Sequence, residues 1–181
     1  MNRSLKICAG VALALPFVYC PGAIAQLGVY ATIGATKMKS PDGTTFIYGP
    51  TIGVSKQFAD RNGLRIGADL RGSFEGGGGL RLTQISIGPK ISFTRRALTP
   101  YIEALAGFGR LSATSGKSQG TSTDSEIQLN SGIDYQLNDH IDLRAIEYSY
   151  EQYYGLGGAY NPKRFSTGIV YNFNTRFKTS K

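Results

Sequence analysis

Apolar and polar residues alternate along most of the chain after residue 26, and a period of two is typical of β-strands with two unlike faces. The apolar face of the first predicted strand comprises Leu27, Val29, Ala31, Ile33 and Ala35. Seven more segments repeat the alternation, with apolar rows that run from Tyr48 to Phe58, Leu64 to Leu70, Ile85 to Phe93, Ile102 to Phe108, Ile127 to Leu137, Ile141 to Tyr150 and Phe165 to Phe173. The pattern predicts eight strands of about ten residues, the length that a tilted strand needs to cross a membrane.

The segments between the predicted strands are turns and polar loops. Tight turns are predicted at 60–63 and 138–140, and longer loops at 37–44, 112–124 and 151–163. In the seventh strand the apolar parity changes between Ala145 and Ile146, which predicts a β-bulge there. Short and long connections in alternation predict an antiparallel up-and-down meander that closes into a barrel.

Two kinds of eight-stranded barrel fit this meander, and the polar faces decide between them. A soluble lipocalin-like barrel buries its apolar face, whereas a transmembrane barrel turns that face toward lipid and keeps polar residues inside. The polar rows carry glycine, serine, threonine and charges of both signs, which suit a narrow lumen. The predicted interior charge network consists of Arg65, Asp69, Arg71, Lys90, Glu103, Asp134 and Arg144. The predicted fold class is therefore all-β, an eight-stranded antiparallel up-and-down transmembrane β-barrel.

The first 25 residues have the three parts of a secretory signal peptide. Arg3 and Lys6 precede an apolar stretch, and Ala23-Ile24-Ala25 is a small-x-small cleavage site. Both cysteines lie in this leader, so the exported chain is expected to hold no disulfide and no thiolate metal site. The predicted organisation is a signal peptide at 1–25, cleaved after Ala25, then an outer-membrane barrel at 26–173 and a short polar tail at 174–181.

Composition and charge narrow the classes of function. Glycine accounts for 24 of 181 residues, which argues against a helical bundle because glycine is poor in helix interiors. The chain carries 20 Lys and Arg against 12 Asp and Glu. These charges are not gathered on one helix or stretch, so no nucleic-acid partner is predicted. A basic exported chain could meet anionic lipid or polysaccharide, but the spread of the charges over turns and tail, as at Arg95 and Arg96, favours an excess that only keeps the protein soluble.

The leader, the eight amphipathic strands, the segment Pro100-Tyr101-Ile102-Glu103-Ala104 and the closing strand together resemble a known family. The chain is similar to the small outer-membrane β-barrel proteins, the OmpA-like and opacity-type porin-fold family. The resemblance implies a place in the outer membrane of a Gram-negative cell envelope, contact with outer-membrane lipid and lipopolysaccharide, and recognition by the outer-membrane assembly machinery. The implied assembly signal is the apolar row Phe165, Ile169, Tyr171 and Phe173. Many members end at that last aromatic, whereas residues 174–181 follow it here.

Little in the sequence points to catalysis, and the chain is expected not to be an enzyme. Lipid-modifying hydrolases and acyltransferases of this architecture need a histidine base beside a serine nucleophile. The one histidine, His140, falls in a turn on the predicted periplasmic side, away from the outer leaflet. No cofactor and no metal are expected.

The expected function is a structural or surface-interaction role in which external loops contact a host or envelope ligand. A candidate contact surface is formed by Tyr150, Tyr153, Tyr154 and Tyr160, because tyrosine supplies rigid amphipathic area. The same tyrosines fit an aromatic girdle equally well. The alternatives are a narrow ion or solute channel and, third, a lipid-modifying membrane enzyme. Eight strands leave a lumen only wide enough for side chains to fill, which favours a plugged interior over a pore.

Overall fold

A computed structural model describes residues 26–40, 43–115, 118–154 and 161–173, except for the side chains of residues 40, 115, 118 and 119. The strands are β1 (Leu27–Ser40), β2 (Gly43–Arg61), β3 (Leu64–Gly77), β4 (Leu80–Phe93), β5 (Leu98–Ser115), β6 (Ser118–Gln136), β7 (Ile141–Tyr154) and β8 (Lys163–Asn172). No helix in these ranges is long and apolar enough to cross a membrane. The predicted leader and tail, with Tyr160, lie outside the described residues.

The eight strands form one closed antiparallel barrel in chain order, which confirms the predicted fold class. Closure joins the first strand to the last, with pairs that run from Gly28 and Asn172 to Lys37 and Lys163. Every strand thus has a neighbour on both sides. A closed ladder satisfies all backbone hydrogen bonds without water, which is the condition for crossing a bilayer with strands.

The two faces of the barrel are inverted relative to a soluble protein. Large apolar side chains point outward, and Ile33 and Phe108 are exposed to 65% and 63% of their areas. Charged side chains point inward, and Arg144 and Glu151 have no solvent-exposed area. The alternation therefore follows the transmembrane version of the barrel and not the lipocalin-like version.

Aromatic side chains mark both edges of the outer apolar surface, as expected of interfacial girdles. Phe93, Tyr135, Tyr171 and Phe173 lie exposed near one edge, and Phe46, Tyr48, Phe74 and Phe165 near the other. From Phe165 to Phe173 the chain rises about 26 Å at roughly 3.3 Å per residue. For a strand tilted by about 40° this is about 20 Å across the membrane, comparable to the roughly 25 Å apolar band of such barrels.

The two ends of the barrel differ in their connections. At one end, here the turn end, β2 and β3, β4 and β5, and β6 and β7 are joined over residues 62–63, 94–97 and 137–140. At the other, here the hairpin end, strands β1 and β2, β3 and β4, and β5 and β6 continue almost to their junctions. The strands extend past the apolar rows at the hairpin end, most of all on β5 and β6, whereas the turn end has only short connections. Because outer-membrane barrels have short periplasmic turns and longer extracellular extensions, we expect the hairpin end to face outward from the cell.

The described residues of the predicted loops at 37–44 and 112–124 are strand, and the predicted loop at 151–163 begins with strand at 151–154, which corrects the sequence prediction. β1 reaches Ser40, β5 and β6 pair as far as Ser115 with Ser118, and β7 extends to Tyr154. On the β5–β6 hairpin the residues of both faces are exposed or half-buried beyond the apolar rows. The alternation that reveals a strand is therefore lost while its backbone pairing continues.

The predicted β-bulge in β7 is present. Ile133 pairs with Ile146 and Asp134 with Arg144, so that Ala145 is the extra residue. The bulge shifts the inward row from Arg144 to Glu147, and it also appears in the pairing of β7 with β8. A second irregularity, between Gln57 and Ala59 in β2, was not predicted.

Candidate functional site

The lumen contains a network of buried charges centred on Arg71. Its guanidinium contacts Asp69 at 3.1 Å, Glu147 at 3.0 Å and Glu103. Glu103 in turn lies 3.0 Å from the ammonium of Lys90. These side chains come from β3, β4, β5 and β7, so the network ties opposite walls of the barrel together. Buried charges require such pairing because desolvation is costly.

A second arginine, Arg144, contacts two tyrosine rings. Its guanidinium carbon is 4.3 Å from the centroid of Tyr30 and 4.7 Å from that of Tyr101. It also pairs with Asp134 at 3.0 Å and with Glu147 at 3.1 Å. Glu147 therefore bridges the two arginines and joins the network into one unit. Contact with two aromatic rings suits the planar guanidinium, whose nitrogens also reach the carboxylates.

The inward tyrosines fit because glycines face them. Gly53 pairs with Tyr30 and Gly132 pairs with Tyr101 across neighbouring strands. A Cβ atom at either glycine would overlap the tyrosine ring. The hydroxyls then donate to carboxylates, Tyr30 to Asp69 at 2.6 Å and Tyr101 to Glu147 at 2.7 Å. The sequence placed these tyrosines and glycines on the polar face, but gave no sign that they meet.

A second polar layer lies closer to the hairpin end. The amide of Gln84 donates to Glu126 at 3.1 Å and to Glu151 at 2.6 Å, and it also contacts the hydroxyl of Tyr153. On the other side of the lumen Arg164 pairs with Glu75 at 2.8 Å. The interior thus stays polar and hydrogen-bonded beyond the central network.

An apolar cluster closes the lumen at the hairpin end. Its buried members are Met38, Ile47, Leu82 and Tyr153, with Leu80 and Leu111 packed against them. We call this cluster the lumen cap. The cap lies on inward positions of β1, β2, β4 and β7, above the second polar layer. The aliphatic side chains of this cluster offer water no hydrogen-bond partners on the way to the polar layers.

The predicted interior residues are all buried, and the ion pairs group six of the seven together. Arg65 is the exception, since it pairs at 2.9 Å with Asp60 near the turn end. Six further buried charged residues were missed, although all lie on inward rows: Glu75, Glu126, Asp142, Glu147, Glu151 and Arg164. The parity change at the bulge could have identified Glu147 and Glu151, because both follow the shifted row.

The predicted contact surface is divided by the barrel wall. Tyr153 points inward and is 8% exposed, which corrects its assignment to a surface. Tyr154, one residue later, points outward and is 50% exposed, and Tyr150 is half-buried on the outer wall. Adjacent residues of a strand face opposite sides, so a contiguous run of tyrosines cannot share one surface here.

The predicted assembly row is exposed on β8 and just beyond it. Phe165, Ile169, Tyr171 and Phe173 all point outward. The backbone N–H of Phe173 donates to the carbonyl of Leu27 at 3.0 Å. Its ring meets Tyr171 edge-on with centroids 5.2 Å apart. The last aromatic therefore lies at the seam where the barrel closes.

His140 lies at the turn end, where one ring nitrogen, Nδ1, is 3.0 Å from the carbonyl oxygen of Asn172. Its ring stacks on Tyr171 with centroids 6.0 Å apart. Within the described ranges no group of three or more His, Cys, Asp or Glu is arranged to hold a metal ion.

The sequence matches the family model described as outer membrane protein beta-barrel domain over residues 8–173. No curated protein matches it at a significant level.

Solved structures with the same fold include three outer-membrane proteins. Neisserial surface protein A is 21% identical with a TM-score of 0.61, and the match covers 82% of this chain and 99% of that one. Ail, the attachment invasion locus protein of Yersinia pestis, is 14% identical with a TM-score of 0.57 over 82% and 99%, and it has also been solved with the heparin analogue sucrose octasulfate. The outer membrane enzyme PagL is 17% identical with a TM-score of 0.52 over 80% and 98%. At these identities the likeness concerns the fold alone.

Proposed function

The chain belongs to the outer membrane protein β-barrel family, and on that premise we propose that it is a surface-interaction protein that presents rigid hairpins outside the cell and conducts no solute. In this proposal a signal peptide at 1–25 precedes the barrel at 26–173. The assembly machinery recognises its last strand, and the tail at 174–181 is not needed.

The observation that carries the proposal is the extension of the strands past the apolar belt. On β5 and β6 the outward apolar rows end at Phe108 and Ile127, but the strands continue to pair as far as Ser115 with Ser118. This hairpin is polar and rich in serine and threonine. Contacts built on paired strands hold their geometry better than contacts on free loops, so the hairpin is suited to binding a partner.

The filled lumen supports the second half of the proposal. The Arg71 and Arg144 network occupies the middle of the barrel, and the lumen cap lies above it. An ion crossing this path would have to displace paired side chains and enter an apolar layer. Both steps are costly, which favours a closed interior over the channel alternative.

A non-enzymatic role is favoured by the position of His140. It lies at the turn end, on the side away from the outer leaflet where lipid-modifying barrels of this architecture act. Incubating the purified protein with lipopolysaccharide and measuring released fatty acid tests this point. Release that disappears in His140→Ala would support the enzyme alternative instead.

The main experiment shortens the β5–β6 hairpin. Replacing residues 112–121 with Asn-Gly, a two-residue turn, removes the polar tip but leaves the apolar rows intact. The matched control replaces Asp139 and His140 at the opposite end with Asn-Gly. The probe is immobilised heparin, because the similar protein Ail was solved with a heparin analogue. We expect heparin binding to fall with the first variant only.

Planar-bilayer recordings of the same preparations separate the two leading functions. The proposal would be overturned in favour of a channel if the unmodified protein conducts steadily and the shortened-hairpin variant binds heparin as well as the unmodified protein does.

A further inference from the structure

Positively charged side chains lie around the outer wall of the barrel at the hairpin end. The outward-facing cations there are Lys37, Lys39, Arg81, Arg110 and Lys163, and all are exposed. On β5 and β8 the cation is the next outward residue after an apolar one, Arg110 after Phe108 and Lys163 before Phe165. Among the described outward-facing residues, no carboxylate lies at this end. The edge of the membrane-facing surface is thus positively charged on several strands.

Two of these cations converge on β4 and β5. Arg81 pairs with Ser112, and Thr83 pairs with Arg110, so the two arginines are diagonal neighbours on the same face, about 7–8 Å apart at the backbone. Within the described part of the chain neither arginine has an ion-pair partner. Together they line a recess of about 690 Å³ whose wall includes the hydroxyls of Thr83, Ser112, Thr114 and Thr121. We call it the arginine recess.

An apolar furrow lies on the outer wall nearer the turn end, and the exposed Phe108 stands between it and the arginine recess. Below Arg110 the outward row of β5 continues with Phe108 and then two small residues, Ala106 and Ala104. Larger residues flank them: Ala106 pairs with Ile87 on β4 and Ile127 on β6, and Ala104 pairs with Leu129 on β6. A recess of about 520 Å³ lies here, with Pro89, Ile91, Ile102, Ala104, Leu129 and Tyr148 among its lining residues.

We propose that the arginine recess binds the phosphate headgroup of an outer-leaflet lipid and that the furrow below it holds one of the acyl chains. Arginine binds phosphate through two parallel hydrogen bonds, and two arginines with nearby hydroxyls offer donors for a phosphorylated sugar headgroup. The furrow supplies apolar depth at the level of the lipid chains. Three residues of the recess wall, Ser112, Thr114 and Thr121, also belong to the proposed adhesive hairpin, but the two arginines lie outside the segment 112–121.

The position of the recess identifies the source of the phosphate as a lipid. Arg110 lies on the side wall, directly after the lipid-facing Phe108 and well below the tip of its hairpin, and Arg81 faces the same side one pair from the β3–β4 turn. A soluble polyanion would contact the tip first. A membrane lipid instead reaches the side wall with its headgroup at the charged edge and its chains beside Ala104 and Ala106.

The test is lipid binding measured by native mass spectrometry of the purified protein in a nonionic detergent, titrated with bis-phosphorylated lipid A. Arg81→Gln/Arg110→Gln should weaken binding at least about tenfold. The matched control, Arg95→Gln/Arg96→Gln, removes two exposed arginines at the turn end and should leave binding unchanged. A retained heat-dependent gel shift shows that both variants are folded.

Two further arms distinguish a lipid from a free anion. Ala106→Phe fills the furrow, so it should weaken the binding of lipid A. The concentration of inorganic pyrophosphate that displaces lipid A from the arginines should stay unchanged. Dephosphorylated lipid A should bind the unmodified protein about as weakly as phosphorylated lipid A binds the double-arginine variant. The proposal is overturned if both double variants lose equal affinity or if Ala106→Phe has no effect. It is equally overturned if heparin, and not lipid A, depends on Arg81 and Arg110.

Discussion

Each charged residue inside the barrel has a partner that compensates for the loss of water, and Glu103 shows what depends on that partner. Glu103 contacts Arg71 and lies 3.0 Å from Lys90. Replacing it with alanine leaves Lys90 without its ion pair in a buried place. We expect Glu103→Ala to lower the free energy of unfolding by about 3–5 kcal/mol, measured by urea unfolding in lipid vesicles. Asp139→Ala, at an exposed turn residue, should change it by less than about 0.5 kcal/mol. Equal losses would contradict a paired interior.

The tyrosine and glycine pairs give a second expectation for single residues. A side chain at Gly132 would overlap the ring of Tyr101, which donates to Glu147 and lies over Lys90. Gly132→Val is therefore expected to destabilise the barrel by about 1–3 kcal/mol through overpacking. The control is Gly120→Val, where no atom lies within 4 Å of the added Cβ. A similar melting temperature for both variants would count against close packing in the lumen.

At the scale of a strand, the closing element determines whether the barrel assembles. Phe173 lies at the seam, hydrogen-bonded to Leu27, near the aromatic edge of the apolar surface. A carboxylate at that depth costs less than about 1 kcal/mol in the folded barrel. A large loss from Phe173→Asp must therefore arise during assembly. We expect this variant to be sharply depleted from the outer membrane by immunoblot of membrane fractions, while deletion of 174–181 has little effect. The opposite result would show that the strand signal lies elsewhere.

The same scale shows how far sequence could predict the structure. The period of two predicted which residues face inward and which face outward wherever one side of a strand faces lipid. The change of parity at Ala145 predicted the β-bulge. The outer parts of β5 and β6 were missed because both of their faces are exposed to water, so apolar and polar residues do not alternate there. Tyr153 was misplaced because its loop was in fact strand. The partners of Arg71 and Arg144 could not be predicted, since they come from strands distant in sequence and depend on the barrel's register.

For the whole molecule, closure between β1 and β8 is the step that completes the fold. Gly168 lies on this seam, and a Cβ there would overlap the carbonyl of Ala31 and crowd Thr32. We expect Gly168→Val to abolish the heat-dependent shift in gel mobility that marks a closed barrel. The control Gly76→Val meets only ordinary contact, with its nearest atom 3.7 Å away, and should keep the shift. A normal shift in both variants would mean that the seam tolerates rearrangement.

The lumen cap lies between two sets of charges that respond differently to salt, the buried network inside the barrel and the exposed arginines on its outer wall. Dissolved ions screen exposed charges over about 8–10 Å at physiological ionic strength, but they screen buried pairs far less. The Arg71 and Arg144 network lies beneath the cap with almost no exposed area, whereas Arg81 and Arg110 lie in the open. Raising sodium chloride should therefore leave the urea midpoint nearly constant while it weakens lipid A binding at the arginine recess. A stability that fell as steeply as lipid binding would show that salt reaches the interior past Leu82 and Ile47.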